Sequence, residues 1–278
     1  MKNLKNILQP LQRYKVSGEE NREIQSIHAD SREVRPNALF RAIRGMTVDG
    51  QQFIQQAIAD GAIAIICETL PQEQTQGVTY IQTADSSEAL GLVAASFYGN
   101  PSEKLNLVGI TGTNGKTTSA TLLYQLFLNK FGKAGLISTI ANYINETKIP
   151  TKYTTPDAIR INELLAKMVD KGCKHAFMEV SSHALKQKRI SGIHFHGAVF
   201  TNITHEHLDY HKTFRDYIDS KKMLFDHYLS KASFALVNND DKNGRVMLQN
   251  TPARKCSFAL KSSADFKAKI IEKHVEGT

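Results

Sequence analysis

The sequence predicts an α/β protein in which a small N-terminal α/β domain precedes a P-loop-type domain with a doubly wound, mostly parallel sheet. Three observations support this prediction. A length of 278 residues leaves room for two domains of ~150 residues. Short apolar segments alternate with amphipathic segments of helix length, and the Gly-Asn-Pro-Ser run at 99–102 interrupts that alternation. We therefore expect one domain over residues 1–103 and a second over 104–278.

The first domain is expected to alternate strands and helices around a buried sheet. Its predicted strands are 24–29, 38–43 and 62–67. The last of these is apolar throughout, as strands of a parallel sheet covered on both faces tend to be. A helix capped by Asp49 and ended by Gly61 precedes it. A helix over 86–98, opened by Ser86 or Ser87, follows it.

A glycine-rich loop near the start of the second domain is the strongest chemical signal in the sequence. The apolar strand 105–110 runs into this loop, and a helix follows through Lys130. The loop residues are Gly112, Thr113, Asn114, Gly115, Lys116, Thr117 and Thr118. Backbone N–H groups at the start of a helix bind phosphate oxygens, and glycine lets the backbone approach closely. Lys116 can then neutralise the β- and γ-phosphates while Thr117 holds Mg²⁺, although Ile110 stands where the strict pattern has its first glycine.

The remainder of this domain continues the alternation of strands and helices. Its predicted strands are 133–140, 176–180, 197–202 and 234–238, and a helix is predicted over 157–171. Parallel strands place their carboxyl ends at one edge of the sheet, where α/β proteins bind ligands. Glu179 lies near the end of one predicted strand, so we expect its carboxylate at that edge.

The composition excludes several classes of protein. The chain is 41% hydrophobic and 22% charged, which fits neither a disordered nor a fibrous protein. A formal net charge of +8 suits anionic ligands without selecting among them. Three separated cysteines give no disulfide framework, and no apolar run approaches the ~20 residues of a membrane helix. We expect a cytoplasmic protein that binds neither a membrane nor a nucleic acid.

The histidines raise the alternative of a zinc site. Seven of the ten lie within residues 175–211, and the segments 194–196 and 205–207 each place two histidines at alternate positions. No cysteine pair accompanies them, and the chain has no HExxH helix. The sequence therefore does not favour zinc.

Four separated motifs, in this order, resemble the Mur ligases, a family related to the folylpolyglutamate and cyanophycin synthetases. They are Asp30-Ser31-Arg32 with the later Gly45 and Asp49-Gly50, TGTNGKTT at 111–118, MEVSSH at 178–183 and TNITHEHLDYH at 201–211. The resemblance extends from Ile24 to Gly277. It is strongest to the members that join diaminopimelate or lysine, the third residue of the peptidoglycan stem peptide, to UDP-N-acetylmuramoyl-L-alanyl-D-glutamate.

The resemblance implies ATP and Mg²⁺ as cofactors and assigns residues to each. The loop residues 112–118 would bind ATP, and Lys116, His207 and carbamylated Lys221 would be catalytic. The implied magnesium ligands are Thr117, Glu179, His207 and Lys221. Lys221 would bind magnesium after its amine reacts with CO₂ to give an anionic carbamate. Lys222, one position further along the chain, is the alternative residue for the carbamate.

The implied substrate contacts fall into two groups. The contacts to the uridine nucleotide are Ser31, Met46, Thr47 and Val48. The contacts to the muramoyl peptide are Thr154, Thr155, Ser181, Gln187 and Arg189. A guanidinium such as that of Arg189 suits a carboxylate or phosphate. The family often has asparagine before the two threonines, whereas this chain has Tyr153.

The reaction implied by the resemblance is ATP-dependent amide formation. The D-glutamyl side-chain carboxylate attacks the γ-phosphorus of ATP, and the incoming amine then attacks the resulting acyl phosphate. Residues 1–103 would bind the UDP-sugar substrate and residues 104–278 would bind ATP. The sequence offers no candidate for the family's C-terminal amino-acid-binding domain, so we expect a fragment that does not ligate alone. The alternatives are a folylpolyglutamate-type synthetase, whose ATP loop would lie near the chain start, and a non-catalytic nucleotide-binding protein.

Overall fold

The computed structural model describes residues 1–42, 50–151, 153–206 and 210–272. The structure is of the α/β class that the sequence predicts, and it divides into two compact units. The first comprises residues 1–101, 157–166 and 188–193, and the second comprises residues 102–156, 167–187 and 194–278. Several predicted residues lie outside the described ranges: Met46, Thr47, Val48, Asp49 and His207.

The first unit contains a five-stranded sheet with helices packed against it. Its elements are β1 (Lys2–Asn3), α1 (Leu4–Leu8), β2 (Tyr14–Ser17), β3 (Glu23–Ile24), β4 (Ser26–His28), β5 (Ala38–Arg41), α2 (Ile54–Ala59), β6 (Ala62–Cys67), β7 (Thr79–Thr83) and α3 (Ser86–Phe97). The order in the sheet is β2-β7-β6-β5-β4. Strands β4 to β7 are parallel, and β2 joins the edge in antiparallel orientation. Within the described residues, β1 and β3 form a separate antiparallel pair.

Strand β6 shows why the sheet of the first unit is stable. Ile65 belongs to an apolar cluster that includes Ala57 of α2, while its neighbour Ile66 belongs to a second cluster with Ile7 of α1 and Val93 of α3. Successive side chains of a strand point to opposite faces, so helices cover both faces of this strand. Residues 62–67 form a continuous apolar run because helices bury the side chains on both faces of the strand.

The cap of α3 differs from the sequence prediction. Asp85 is the N-cap, and its Oδ1 accepts hydrogen bonds from the N–H groups of Ser87 and Glu88 at 2.9 Å each. The prediction of Ser86 or Ser87 as the cap is therefore wrong. Ser86 Oγ donates to Glu68 instead, and Ser87 Oγ accepts from the Arg41 guanidinium.

The second unit is built on a larger sheet. Its elements are β8 (Asn106–Thr111), α4 (Lys116–Phe131), β9 (Gly135–Ile137), β10 (Asn142–Ile144), β11 (Thr147–Ile149), α5 (Ala158–Asp170), β12 (His175–Glu179), α6 (Ser182–Lys186), β13 (Phe195–Phe200), α7 (Phe214–His227), β14 (Leu229–Asn238), α8 (Gly244–Met247), β15 (Arg254–Ala259) and β16 (Phe266–Lys267). Helix α5 contributes to both units, which divide it after Ala166. The strand order is β11-β10-β9-β12-β8-β13-β14-β15-β16. From β9 to β16 the neighbours in this order are parallel.

One edge of this sheet departs from the prediction. The strand predicted at 133–140 ends at Ile137, and β10 and β11 form an antiparallel hairpin that the sequence analysis did not anticipate. A turn ends the strand, because Ser138 Oγ donates to the Ala141 carbonyl at 2.8 Å. Asn145, with a φ of 52°, sits between the two strands of the hairpin.

The carboxyl ends of three parallel strands meet at the centre of this sheet. Glu179, the last residue of β12, pairs with Ile110 of β8, and Phe200, the last residue of β13, pairs with Thr111. The glycine-rich loop begins directly after Thr111. The topology therefore places the loop beside the ends of β12 and β13. Among the described residues, no helix is long and apolar enough to cross a membrane.

Candidate functional site

The glycine-rich loop has a backbone path that requires glycine at its start. Gly112 has a φ of 151°, and a side chain there would collide with the hydroxyl of Thr201, which follows β13. The Thr201 hydroxyl donates to the Asn114 carbonyl at 2.7 Å. The amide group of Asn202 meets the loop as well, because its Oδ1 accepts from Asn114 N at 3.0 Å. The segment after β13 thus supports the loop from one side.

The loop presents backbone N–H groups where α4 begins. Gly115 is the N-cap, has a φ of 84° and gives α4 no side-chain cap. Asn114, Gly115 and Thr118 are exposed, and Thr117 is half-buried. The first N–H groups of a helix have no partners within the helix, and they lie at the positive end of its dipole. This end of the 16-residue helix is therefore suited to an anion such as phosphate.

Two lysine side chains converge on the start of the loop. Lys116 Nζ donates to the carbonyl oxygens of Gly112 and Thr113 at 3.0 and 2.8 Å, and Lys221 Nζ donates to the same Gly112 oxygen at 2.8 Å. Burial lowers the pKa of Lys116, although the carboxylates of Glu179 and Glu206 oppose that effect. The two side-chain nitrogens thus meet at one carbonyl oxygen, and the ammonium of Lys116 supplies positive charge that suits a polyphosphate.

Lys221 lies in the interior of the protein. It projects from α7, is 1% exposed, and its Nζ lies 4.4 Å from the centre of the Tyr217 ring. Burial lowers the pKa of Lys221 well below the ordinary value, and the charge of Lys116 lowers it further against the opposing effect of Glu206. Lys222 instead reaches Asp226 at 2.5 Å. Of the two neighbouring lysines, Lys221 is thus the one at the loop.

Glu179 brings a carboxylate to the same place. It is fully buried, and its oxygens accept from Thr117 Oγ1 at 2.9 Å, from Thr139 N at 2.8 Å and from Thr139 Oγ1 at 3.2 Å. These donors are neutral, so they do not compensate the charge of a buried carboxylate as a cation would.

The donors at this position suit a magnesium ion. Mg²⁺ prefers oxygen ligands and retains part of its water shell, and the Thr117 hydroxyl and Glu179 carboxylate supply oxygen beside the loop. In the described part of the chain, no three His, Cys, Asp or Glu side chains form a group that could hold a metal ion.

Four of the predicted peptide contacts belong to the second unit, and three of them are linked by hydrogen bonds to Glu179 or to its partner Thr139. Thr154 Oγ1 lies 3.1 Å from Thr139 Oγ1, and Thr155 Oγ1 donates to the Glu179 carbonyl at 2.9 Å. Ser181 N donates to Thr155 Oγ1 at 3.1 Å. Gln187, at the end of α6, donates to the Tyr210 hydroxyl at 3.3 Å.

The other described substrate contacts belong to the first unit. Ser31 begins a single 3₁₀ turn, Ser31–Glu33, which the Asp30 side chain caps. Arg189 is half-buried in the segment 188–193. Tyr153, which replaces the asparagine frequent in the family, lies in the second unit with its side chain 63% exposed.

Two residues at the loop site were not identified from the sequence. Thr139 gives Glu179 two hydrogen bonds, and no motif marks it, because the turn that places it follows a short strand. The Tyr217 hydroxyl lies 3.1 Å from Thr113 Oγ1. Tyr217 could have been found, since it precedes Lys221 by four residues on one helix and therefore shares its face.

Comparisons with known proteins agree with this geometry. A family model described as the Mur ligase middle domain matches residues 110–278, and one described as the Mur ligase family catalytic domain matches residues 23–98. The UDP-N-acetylmuramoyl-L-alanyl-D-glutamate–2,6-diaminopimelate ligase of Bacteroides fragilis is 54% identical over 274 residues, which are 99% of this chain and 56% of that protein. The chain therefore spans little more than half the length of this relative.

Solved structures give the same result. A structure of a UDP-N-acetylmuramoyl-L-alanyl-D-glutamate–2,6-diaminopimelate ligase superposes with a TM-score of 0.84 at 25% identity, over 98% of this chain and 56% of that one. The MurF ligase of Thermotoga maritima in complex with ADP superposes with a TM-score of 0.58 at 21% identity, over 95% of this chain and 53% of that one. The sequence motifs, the family models and the fold lead to one conclusion: this chain belongs to the Mur ligase family.

Proposed function

We propose that this chain provides the nucleotide-sugar and ATP-binding parts of a ligase that adds diaminopimelate to UDP-N-acetylmuramoyl-L-alanyl-D-glutamate. The observation that carries the proposal is the convergence of Lys116, Lys221 and the Thr117–Glu179 pair on one phosphate-type loop. The relatives named as diaminopimelate ligases favour that amino acid over lysine. The domain assignment of residues 1–103 to the UDP-sugar and 104–278 to ATP is part of this proposal.

The loop would hold ATP by its phosphates. The N–H groups at the start of α4 and the ammonium of Lys116 would bind the phosphate oxygens and stabilise the charge that develops as the γ-phosphoryl group is transferred. Bound Mg²⁺ would add Lewis-acid stabilisation of the same oxygens. Thr117 and Glu179 would hold it, with Lys221 and His207.

The chemistry requires no covalent nucleophile from the protein. A carboxylate is a poor electrophile, so the D-glutamyl carboxylate first attacks the γ-phosphorus and releases ADP. The acyl phosphate then reacts with the amine of the incoming amino acid, and phosphate leaves from the tetrahedral intermediate. The protein has to align the carboxylate with the γ-phosphate. Thr155 and Ser181, at the end of β12 beside the loop, would contribute to this alignment, and Gln187 at the end of α6 would be a further contact to the peptide.

Lys221 has the properties of a lysine that forms a carbamate. A neutral amine adds to CO₂ and releases one proton, and burial favours the neutral amine. The product would be an anionic oxygen ligand for Mg²⁺ in place of a cation. We expect a carbamate carbon signal in the ¹³C spectrum of the chain equilibrated with ¹³CO₂. Lys221→Met would remove that signal and Lys222→Met would keep it, whereas loss in Lys222→Met alone would assign the carbamate to the neighbouring position.

Ligand titration tests the substrate class. We expect UDP-N-acetylmuramoyl-L-alanyl-D-glutamate to protect the chain against thermal unfolding, and a folate to have no effect. The relative of Bacteroides fragilis matches 99% of the chain, including the residues ahead of the loop that a folylpolyglutamate-type synthetase would lack. Protection by the folate alone would support that second synthetase instead.

A further inference from the structure

A buried histidine joins two helices beside the loop, and the reaction described above gives it no role. His211 is fully buried. Its Nε2 lies 2.9 Å from Oγ of Ser182, the first residue of α6. Its Nδ1 lies 3.4 Å from Ser220 Oγ and 3.5 Å from the Asp216 carboxylate, both on α7. The imidazole therefore bridges α6 and α7.

The hydrogen-bond partners determine which nitrogen carries the proton. The Ser220 hydroxyl donates its single hydrogen to the Asp216 carbonyl at 2.6 Å, so it can only accept from His211. The Asp216 carboxylate also only accepts, because its pKa is lowered by Lys186. Nδ1 must therefore be the donor.

The same imidazole is electrically neutral. Burial lowers the pKa of His211, and the nearby charge of Lys186 lowers it further, while Asp216 opposes both effects. In the described part of the chain, the rings of His183, Tyr210 and Tyr217 also pack against it. With Nδ1 protonated and the ring neutral, Nε2 is left to accept the hydrogen of the Ser182 hydroxyl.

This order of serine, histidine and aspartate resembles that of a hydrolase triad, but burial excludes nucleophilic catalysis by the serine. Ser182 is 2% exposed, so a substrate carbonyl cannot reach its hydroxyl. A fixed, fully bonded imidazole in the interior is instead suited to holding elements in place.

The residues next to the bridge belong to the site. Ser181 precedes Ser182 and caps α6 by accepting from Ala184 N at 3.2 Å. Lys221 follows Ser220. Tyr217, whose ring centre lies 4.9 Å from that of His211, reaches Thr113 of the loop. The bridge therefore connects a predicted substrate contact with the helix that carries Lys221.

We infer that His211, as the neutral tautomer protonated at Nδ1, is a positioning residue that holds α6, and with it Ser181, against the helix that carries Lys221. The bridge follows from the contacts, and the neutral tautomer follows from those contacts together with the lowered pKa of His211. Their importance for ligation rests on the proposed function. Helix α6 has only five residues, too few to be stable without tertiary contacts. The single hydrogen bond between Ser182 and His211 therefore contributes to the stability of this helix.

The test combines the protonation of the ring with the stability of α6. In the 278-residue chain labelled with ring-¹⁵N histidine at pH 7.5, we expect His211 to show a protonated Nδ1 and an unprotonated Nε2. Ser182→Ala, a mild change that avoids disturbing the buried ring itself, should shift the Nε2 signal. It should also speed amide exchange in α6 by about fivefold, the factor expected for one net hydrogen bond.

Ser233→Ala is the matched control, because Ser233 is also buried and its hydroxyl donates to the Phe195 carbonyl at 2.8 Å. It should leave the His211 signals and the exchange of α6 unchanged. A proton on Nε2, a positively charged ring, or equal exchange in both variants would overturn the inference. If the ring and exchange results hold but the chain binds no Mg-ATP, the bridge stands and the proposed function fails.

Discussion

Replacing Gly112 with alanine tests whether the loop path is as constrained as the structure indicates. Residues with a side chain rarely adopt a φ of 151°, and holding one there costs ~1–3 kcal/mol. The new methyl group would also displace the Thr201 hydroxyl, which costs its hydrogen bond to Asn114, ~1 kcal/mol, and crowding adds ~1–3 kcal/mol. We expect Gly112→Ala to lower the free energy of unfolding by about 4 kcal/mol.

Gly132 provides the control for backbone strain alone. It ends α4 with a φ of 72°, and an added Cβ there meets no atom within 4 Å. Gly132→Ala should therefore cost only ~1 kcal/mol. Urea unfolding of the two variants, followed by circular dichroism, measures the difference. Equal costs would show that Thr201 does not constrain the loop and would refute the steric reasoning.

Two further predictions concern stability. Asp85→Ala removes the cap of α3 and should cost ~1 kcal/mol at pH 7. Burial alone raises the pKa of Asp85, but hydrogen bonds from Glu88 N–H and Lys188 lower it overall, so this contribution should fade as pH falls below about 4; a cost of the same size at pH 2.5 would contradict the assignment. Lys221→Met should stabilise the chain at pH 7, because the native pKa of Lys221 is lowered and the unfolded chain binds more protons up to about pH 10.4. In the wild type, this lysine should make the free energy of unfolding rise between pH 7 and 10, and Lys221→Met should remove that rise. Urea unfolding at several pH values measures it, and an equal dependence on pH in both proteins would contradict the lowered pKa of Lys221.

The local architecture of the site could be predicted from the sequence. The loop between β8 and α4 is determined by neighbouring residues, since an apolar strand, two glycines and a helical pattern follow one another directly. The strand at 62–67 could also be predicted, because a strand with helices packed on both faces of its sheet requires apolar side chains at each position. The family resemblance supplied Glu179 and Lys221 as candidates.

The remaining features depend on contacts between distant parts of the chain. Thr139 meets Glu179 only because β9 pairs with β12, and pairing of separate strands leaves no local pattern. The short β9 and its hairpin depend on the turn at Ser138. Composition alone would make Lys221 a surface residue, and its burial follows from the packing of α7 against the loop.

The most direct test of the central claim is the affinity of the chain for Mg-ATP, measured by calorimetry with wild type, Lys116→Ala and Lys130→Ala. Lys130 lies on the same helix but is exposed in its last turn. We predict that the wild type binds Mg-ATP. Lys116→Ala should weaken binding by about 10- to 100-fold, as expected for loss of a charge-assisted hydrogen bond, while Lys130→Ala should have no effect. Unchanged affinity in Lys116→Ala, or no binding by a folded wild-type chain, would contradict the assignment of this loop as the ATP site.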